Sequence, residues 1–488
     1  MKLIIRTLHV LATLGYQITR FFLFTQKSTT VTGSKMLTGG EALHFLSSRN
    51  TGLLLDGYNK RLSLQESYQN LCLSARVGAG KTTRYIIPNV LERGRQECSM
   101  AIHDPKGEVR DLTSGYLKAN GYKIILLDVE NIQSSHFFNP CLETHSEVEI
   151  EQIAETLIWC GNSGDQDPYW NNGATRILSV LLKCLSFGDK KYYNLPNLHH
   201  LLQNFGKMGE TLDPWIKENA WNPDYPDDPY ILEEWKGALT GNEEAIQSFV
   251  GVCLTALKSL SNRDLRAFLS KSDYRLSDFR TEKTAIFLIT PSNKQQYYSF
   301  VVSLFFRSLF NECMRPEHLG GKSLPVYLFY DEFGNSYIPD FMSVANTIRG
   351  YRVSLSIILQ SISQLGFRYG KIGAESIQGA MNTHLCLSGS DPVTADFFSH
   401  LCGKVRERQR RNTTLFDQNT DYREYNLMHS DEVRTMQDHQ TLVICKNRNP
   451  VLLPITPYYQ TWKFKKASQF SKHAIRRKKQ PMIELVDL

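Results

Sequence analysis

The chain has ten cysteines in 488 residues, yet no two of them form a Cys-x-x-Cys pair. They stand at 72, 98, 141, 160, 184, 253, 313, 386, 402 and 445, without the spacing of a zinc ribbon or a disulfide framework, which fits a reducing compartment. No helix-turn-helix, zinc finger or other base-reading pattern is present, so any specificity for a DNA sequence has to come from a partner. No internal repeat is visible, which excludes a solenoid or propeller. Strong charge of one sign is also missing. A net +7, from 56 basic and 49 acidic residues, suits an anionic partner about as well as an ordinary solvated surface. Apolar content of 41% and charged content of 22% are those of a soluble globular chain, long enough for two to four domains.

Long apolar runs are scarce too. Residues 3–24 could span a bilayer in length, but Arg6 and Arg20 interrupt them. Arg6, His9, Thr13, Gln17 and Arg20 share one helical face, and Ile4, Ile5, Leu8, Leu11, Ala12 and Ile18 cover much of the rest. Residues 1–25 therefore read as an amphipathic helix on a membrane surface or a partner, with a spanning helix and plain core packing as the other options. No small-residue cleavage site follows, so a removable signal peptide is not expected. Residues 26–45, rich in Ser, Thr and Gly, read as a linker.

What is present begins with sheet signals. A hairpin pattern over TGLLLDGYNKRLSL precedes a strand at 69–74, and a helix follows it in TTRYIIPNVLER, where Pro88 must kink or shorten the helix. CSMAIHD and YKIILLDVE are further buried strands, so residues 46–145 open a parallel α/β sheet. From 146 to 275 helical periodicity takes over, including TGNEEAIQSFVGVCLTALKSL with Thr240 and Glu243 at capping-box spacing. The sheet resumes over 276–460 with KTAIFLIT, a helix starting from a Ser292/Gln295 capping box, LPVYLFYDEF and RVSLSIILQS. Residues 461–488 read as a basic tail.

Two motifs carry chemistry. ARVGAGKTT, that is Ala75, Arg76, Val77, Gly78, Ala79, Gly80, Lys81, Thr82 and Thr83, follows a strand and opens a helix. Backbone N–H groups there can wrap phosphate oxygens, with Lys81 on the β- and γ-phosphates and the Thr82 hydroxyl on Mg²⁺. Ala75 stands where the usual pattern has glycine, a mild defect, since alanine adopts ordinary φ values but not a positive one. VYLFYDEF places Asp331 and Glu332 at the tip of a buried strand, as a P-loop hydrolase needs: one carboxylate for the Mg²⁺ shell, one to polarise water. The reading is an ATP- and Mg²⁺-dependent hydrolase.

DPKGEVRDLTSGYLKANGYKIILLD, YDEFGNSYIPDFMSVANTIRGYRVSLSIILQSISQLGFRYG and NLMHSDEVRTM resemble, in order, the TraG/TraD-type coupling proteins of type IV secretion and conjugation. The resemblance covers roughly 50–460 and implies a RecA-like P-loop domain interrupted by an all-α domain, whose start matches DPYWNNGATRIL. It implies that Gln360 reports the γ-phosphate, and that Arg349, with Arg352 as its rival, reaches into a neighbouring subunit's site. Asp104, Lys106 and Glu108, at another strand's end, are near the site without an assigned step. It further implies a homo-hexameric ring that recruits single-stranded DNA with its relaxase, or protein effectors, and meets channel ATPases and inner-membrane components. The expected place is the cytoplasmic face of the bacterial inner membrane, although the family usually begins with two membrane helices and 1–45 has room for one. A docking platform that does not hydrolyse nucleotide, or a DNA segregation or packaging motor, are the alternatives. Basic runs at 403–412 and 463–479 are the candidate paths for an anionic cargo.

Overall fold

Short apolar runs without polar alternation, bounded by helical segments, form a sheet covered on both faces. The computed structural model describes residues 31–161, 168–320, 322–410 and 420–488; the amphipathic helix expected over 1–25 lies outside them. Twelve strands are present among them: β1 (Val31–Gly33), β2 (Leu71–Ser74), β3 (Ser99–His103), β4 (Lys123–Asp128), β5 (Thr284–Ile289), β6 (Val326–Tyr330), β7 (Val353–Leu359), β8 (Thr383–Leu387), β9 (Lys404–Arg410), β10 (Thr420–Asn426), β11 (Gln440–Cys445) and β12 (Val451–Pro454). The main sheet runs β12-β11-β8-β2-β7-β6-β3-β5-β4. From β8 to β4 every pairing is parallel, and β11 and β12 add an antiparallel edge. This is the expected α/β architecture with a mostly parallel sheet.

The helices from Glu147–Gly161 to Arg263–Phe268 all fall between β4 and β5. These strands are sheet neighbours and β4 is the edge, so a large block enters the chain without separating any pair of strands. Helix starts differ in detail from the sequence reading. Asn242, not Thr240, caps Glu243–Ala256 by accepting from the Ala245 N–H. Ser292 begins a 3₁₀ turn, and the helix Gln295–Cys313 has no side-chain cap. After the phosphate-loop motif, Thr82–Ile86 form a π turn, with the Ile87 N–H donating to the Thr82 carbonyl. Pro88 stands just beyond it; its ring crowds the preceding turn and it has no N–H to give, so the expected disturbance takes the form of a widened turn.

The described part of the expected linker is ordered. β1 pairs antiparallel with β9, which pairs with β10, and a Thr38/Glu41 capping box starts a turn of helix. The basic tail is also ordered. After the helix Trp462–Ala467 it crosses the domain, with the Phe470 ring edge-on to Tyr116 and the His473 N–H donating to Ser114 Oγ. Gly115 lets it lie close, since a Cβ there would stand 1.9 Å from the Ser471 carbonyl oxygen. Gly115→Val is expected to lift residues 470–473 off the helix Glu108–Ala119 at a cost of about 1–3 kcal/mol. Faster tryptic cleavage after Lys472 would show it.

Candidate nucleotide-binding site

β2, β7 and β6 lie side by side, so their C-terminal ends bring three distant segments to one place. Lys81 and Glu332 are separated by 251 positions in sequence and by two strand spacings, about 10 Å, across the sheet. β2 delivers the phosphate loop. Ala75 continues the strand, its N–H donating to the Leu359 carbonyl at 3.0 Å, and it does not need the positive φ that alanine resists. The positive φ values fall on Gly78 and Gly80, both at 83°. The Ala79 N–H donates to the Arg76 carbonyl, while the N–H groups of Gly78 and Gly80 meet no acceptor among the described residues. Unsatisfied donors beside an ammonium group form a cradle for an anion. Arg84 braces the loop from behind by donating to the Ala79 carbonyl at 2.8 Å, and Thr83 does so through the Gly80 carbonyl at 3.2 Å. The Arg76 side chain is exposed and lies over Gly389. Val77 is exposed at the loop tip.

β6 delivers the carboxylates. Lys81 Nζ sits 3.1 Å from Asp331 Oδ1 and 3.3 Å from Glu332 Oε1. Glu332 adopts the left-handed conformation, φ 56°, a cost of roughly 1–3 kcal/mol that turns its side chain back over the sheet end. Three amides converge on its other oxygen, Oε2: Gln360 Nε2 at 3.1 Å, Gln295 Nε2 at 3.0 Å and Asn335 Nδ2 at 2.8 Å. Burial pushes the Asp331 carboxyl up. Burial would raise Glu332 as well, but Lys81 and the Gln295 and Gln360 amides outweigh it and hold the group below the usual carboxylate value. Thr82 starts the π turn beside these residues. Thr82 and Asp331 offer only hard oxygens, and among the described residues no cluster of three metal-binding side chains exists. Such a donor set fits Mg²⁺, which takes most of its ligands from phosphates and water.

Sequence reasoning missed three parts of this site. Gln295, in sequence a partner in a helix cap, reaches Glu332 instead. Asn335 lies within the YDEFGNSY stretch that carries the resemblance, three residues after Glu332, and its role is visible only in the structure. His103, the residue before Asp104, is buried behind Asp331. Its Nδ1 lies 2.5 Å from the Asp331 carbonyl oxygen, an acceptor, so Nδ1 carries the proton and Nε2 accepts from Thr290 Oγ1 at 2.7 Å. Burial lowers its pKa to about 4, which keeps it neutral.

Asp104 lies in the same layer and accepts from the Arg110 N–H at 2.8 Å, at the start of the helix Glu108–Ala119. Burial, with Asp331 and Glu108 nearby, raises it from 3.8 to about 7. Between pH 4 and 7 the folded chain keeps a proton that the unfolded chain releases, so stability from this group falls as pH rises through that window. Asp104→Asn is expected to make the fall shallower by about 2–4 kcal/mol, read from melting curves across pH.

The structure does not bring Arg349 to this chain's own site. It is exposed in the 3₁₀ turn Ile348–Tyr351 before β7, while Gln360 follows β7, about 20 Å along the strand. Arg352 serves the fold: its φ is 58° and its guanidinium donates to the Ser323 carbonyl. The basic runs are partly neutralised from within. Lys404 and Arg406 both pair with Glu424, and Lys463, Lys472 and Lys478 pair with Glu92, Asp111 and Asp273.

Comparison with known proteins gives the family and the fold. The family described as type IV secretory system conjugative DNA transfer matches residues 41–481. The protein VirD4 of Rhizobium radiobacter is 24% identical over 400 residues, 78% of this chain and 56% of its own. The conjugal transfer protein TraG of the same organism is 21% identical over 344 residues, 67% of this chain and 51% of its own. The chain thus spans about half the length of the curated relatives it matches. Among solved structures, the bacterial conjugative coupling protein TrwBΔN70 in its unbound form superposes with a TM-score of 0.69 at 14% identity, covering 93% of this chain and 98% of that one. TrwB in complex with ADP and Mg²⁺ gives a TM-score of 0.66 at 15% identity, covering 89% and 96%. The fold is that of TrwB, and the chain belongs to the type IV secretory system conjugative DNA transfer family, the coupling proteins of type IV secretion.

Proposed function

We propose that the chain hydrolyses ATP and uses the turnover to deliver cargo, single-stranded DNA with its relaxase or protein effectors, to a type IV secretion channel. The observation that carries the reading is Lys81 held between Asp331 and Glu332, with Gln360 on the same carboxylate. Solved TrwB structures in complex with ADP and Mg²⁺, and with a non-hydrolysable ATP analogue, support it.

Lys81 exchanges its two carboxylates for the β- and γ-phosphate oxygens, and the free loop N–H groups bind the remaining phosphate charge. Thr82 and Asp331 would hold Mg²⁺, which neutralises charge on those phosphates when bound. Glu332, freed from the ammonium but kept ionised and aimed by Gln295, Gln360 and Asn335, takes a proton from the water that attacks the γ-phosphorus. The bond to the ADP oxygen then breaks. Gln360 touches the base directly, so it can report whether the γ-phosphate is present. We assign Arg349, exposed at the far end of β7, to a neighbouring copy's site in a hexameric ring, a role its exposure is compatible with. Among the described residues no helix is long and apolar enough to cross a membrane. We place the main body at the cytoplasmic face of the inner membrane, held there by partners or by residues 1–25.

The test is ATP hydrolysis by the purified chain with and without single-stranded DNA, beside a transfer assay in a host lacking the protein, run with DNA and protein cargo in parallel. Hydrolysis raised by DNA and restored transfer are expected. A chain that restores transfer without hydrolysing ATP would establish the docking-platform alternative instead. Arg349→Ala is expected to lower turnover by about 10³-fold with nucleotide affinity unchanged. Mixing it with Glu332→Gln chains should recover part of the activity, since each supplies what the other lacks.

A further inference from the structure

We propose that the helical block carries a clamp for an extended peptide, and that residues 480–488 of the chain, QPMIELVDL, are its resident and displaceable occupant. The clamp centres on Asn197, fully buried near the start of the helix Leu195–Gln203. Its Nδ2 donates to the Glu484 carbonyl at 3.1 Å and its Oδ1 accepts from the Val486 N–H at 2.9 Å. One side-chain amide thus pairs with the backbone of residues i and i+2, as a neighbouring strand would, without reading a side chain. Asn194 fixes that amide: its Oδ1 accepts from both the N–H and the Nδ2 of Asn197, at 3.0 and 3.1 Å.

Selectivity comes from two further contacts. Val486 is buried and joins the apolar core that contains Leu195 and Leu198. Glu484 pairs with Lys191 at 3.0 Å. The charges match by segment. Lys472 and Lys478, upstream, face carboxylates. Residues 480–488 contain no basic side chain; Lys191, Arg263 and Arg266 lie beside them, and Asp264 accepts from Gln480 Nε2 at 2.7 Å.

Elsewhere the fit is loose, which is what an exchangeable occupant requires. Met482 is 92% exposed, and Leu485 and Leu488 are exposed as well. A cavity of about 460 Å³ lies between the segment and Arg263, Arg266 and Ala267, and the Arg266 Nε is buried there without a hydrogen-bond partner. The ligand class is therefore an extended segment with an acidic residue two positions before a buried apolar one. A partner carrying that pattern would displace the chain's own segment and free it from the block.

The experiment uses fluorescein-labelled QPMIELVDL and two chains, the full one and one shortened after Lys479. The shortened chain is expected to bind the peptide saturably, and the full chain at least tenfold more weakly because its own segment competes. A peptide with Val486→Asp, and the shortened chain with Asn197→Ala, should each lose tenfold or more. Equal binding by both chains, equal binding of the Val486→Asp peptide, or no binding by a shortened chain that melts like the full one overturns the proposal. If the shortened chain melts differently, Val486→Asp in the full chain decides: faster tryptic cleavage after Lys478 or Lys479 supports the clamp, and unchanged cleavage overturns it.

Discussion

Lys81→Ala is expected to abolish hydrolysis to the detection limit, a loss of at least about 10²–10³-fold, because the ammonium meets charge that grows on the phosphates as the bond breaks. Nucleotide affinity should fall too, since the same group contacts the ground state. The nucleotide-free protein should also change. Lys81 is the cation between two largely buried carboxylates, and removing one partner of such a cluster leaves uncompensated buried charge. The expected cost is about 3 kcal/mol near neutral pH. The sign follows from Glu332, whose pKa Lys81 helps to hold down. Without the ammonium both carboxyls are protonated more readily, so the variant should regain stability more steeply than wild type as pH falls. Paired measurements of turnover and of melting temperature against pH check both halves. Unchanged turnover would remove Lys81 from the mechanism, and an unchanged melting profile would remove the ion cluster from the fold.

Glu332→Gln should separate binding from chemistry. The amide can still bond with Gln295, Gln360 and Asn335, so the geometry at the strand tip survives. It cannot take a proton from water, and turnover is expected to fall by about 10²–10⁴-fold. Affinity should hold or improve, because Lys81 no longer has to leave one of its carboxylates to meet phosphate. A fluorescent nucleotide titration beside a phosphate-release assay tests this. Loss of binding and turnover in equal measure would mean that Glu332 positions the loop and is no base.

How far the chain announces this site depends on the range of the signal. Buried strands such as SMAIH and KIILLD are legible because uninterrupted apolar runs of that length have few other homes. The phosphate loop and the Asp331–Glu332 tip are legible because their chemistry requires particular residues at fixed local spacing. β8 is broken by His384 and β12 is stopped by Pro454, and β11, although it holds the apolar run LVIC, carries no motif; register across the sheet defines all three. The three amides on Glu332 are a sharper case. Gln360 was found through its family pattern. Gln295 matters only because helix Gln295–Cys313 starts beside the β6 tip, a tertiary fact that no local spacing encodes, whereas Asn335 reaches Glu332 from three residues on. His103 was hidden in the same way as Gln295, since its partners lie just after β6 and just after β5. The ordered tail was hidden for a different reason. Lysine-rich segments usually stay solvated, and only the placement of Glu92, Asp111 and Asp273 gives these lysines partners.

The place of β2 in the sheet has a consequence for synthesis. Its two neighbours begin at Val353 and Thr383. The apolar segment Leu71–Ser74 therefore emerges from a ribosome with nothing to pair with until about 280 more residues have been made, roughly 15–55 s at ordinary elongation rates. During that interval both edges of the strand are bare, and the helical block that follows can fold ahead of the sheet it interrupts. Nascent chains of this topology are expected to need shielding over residues 69–74, and slow translation should harm their yield more than that of a chain whose central strand has an early neighbour.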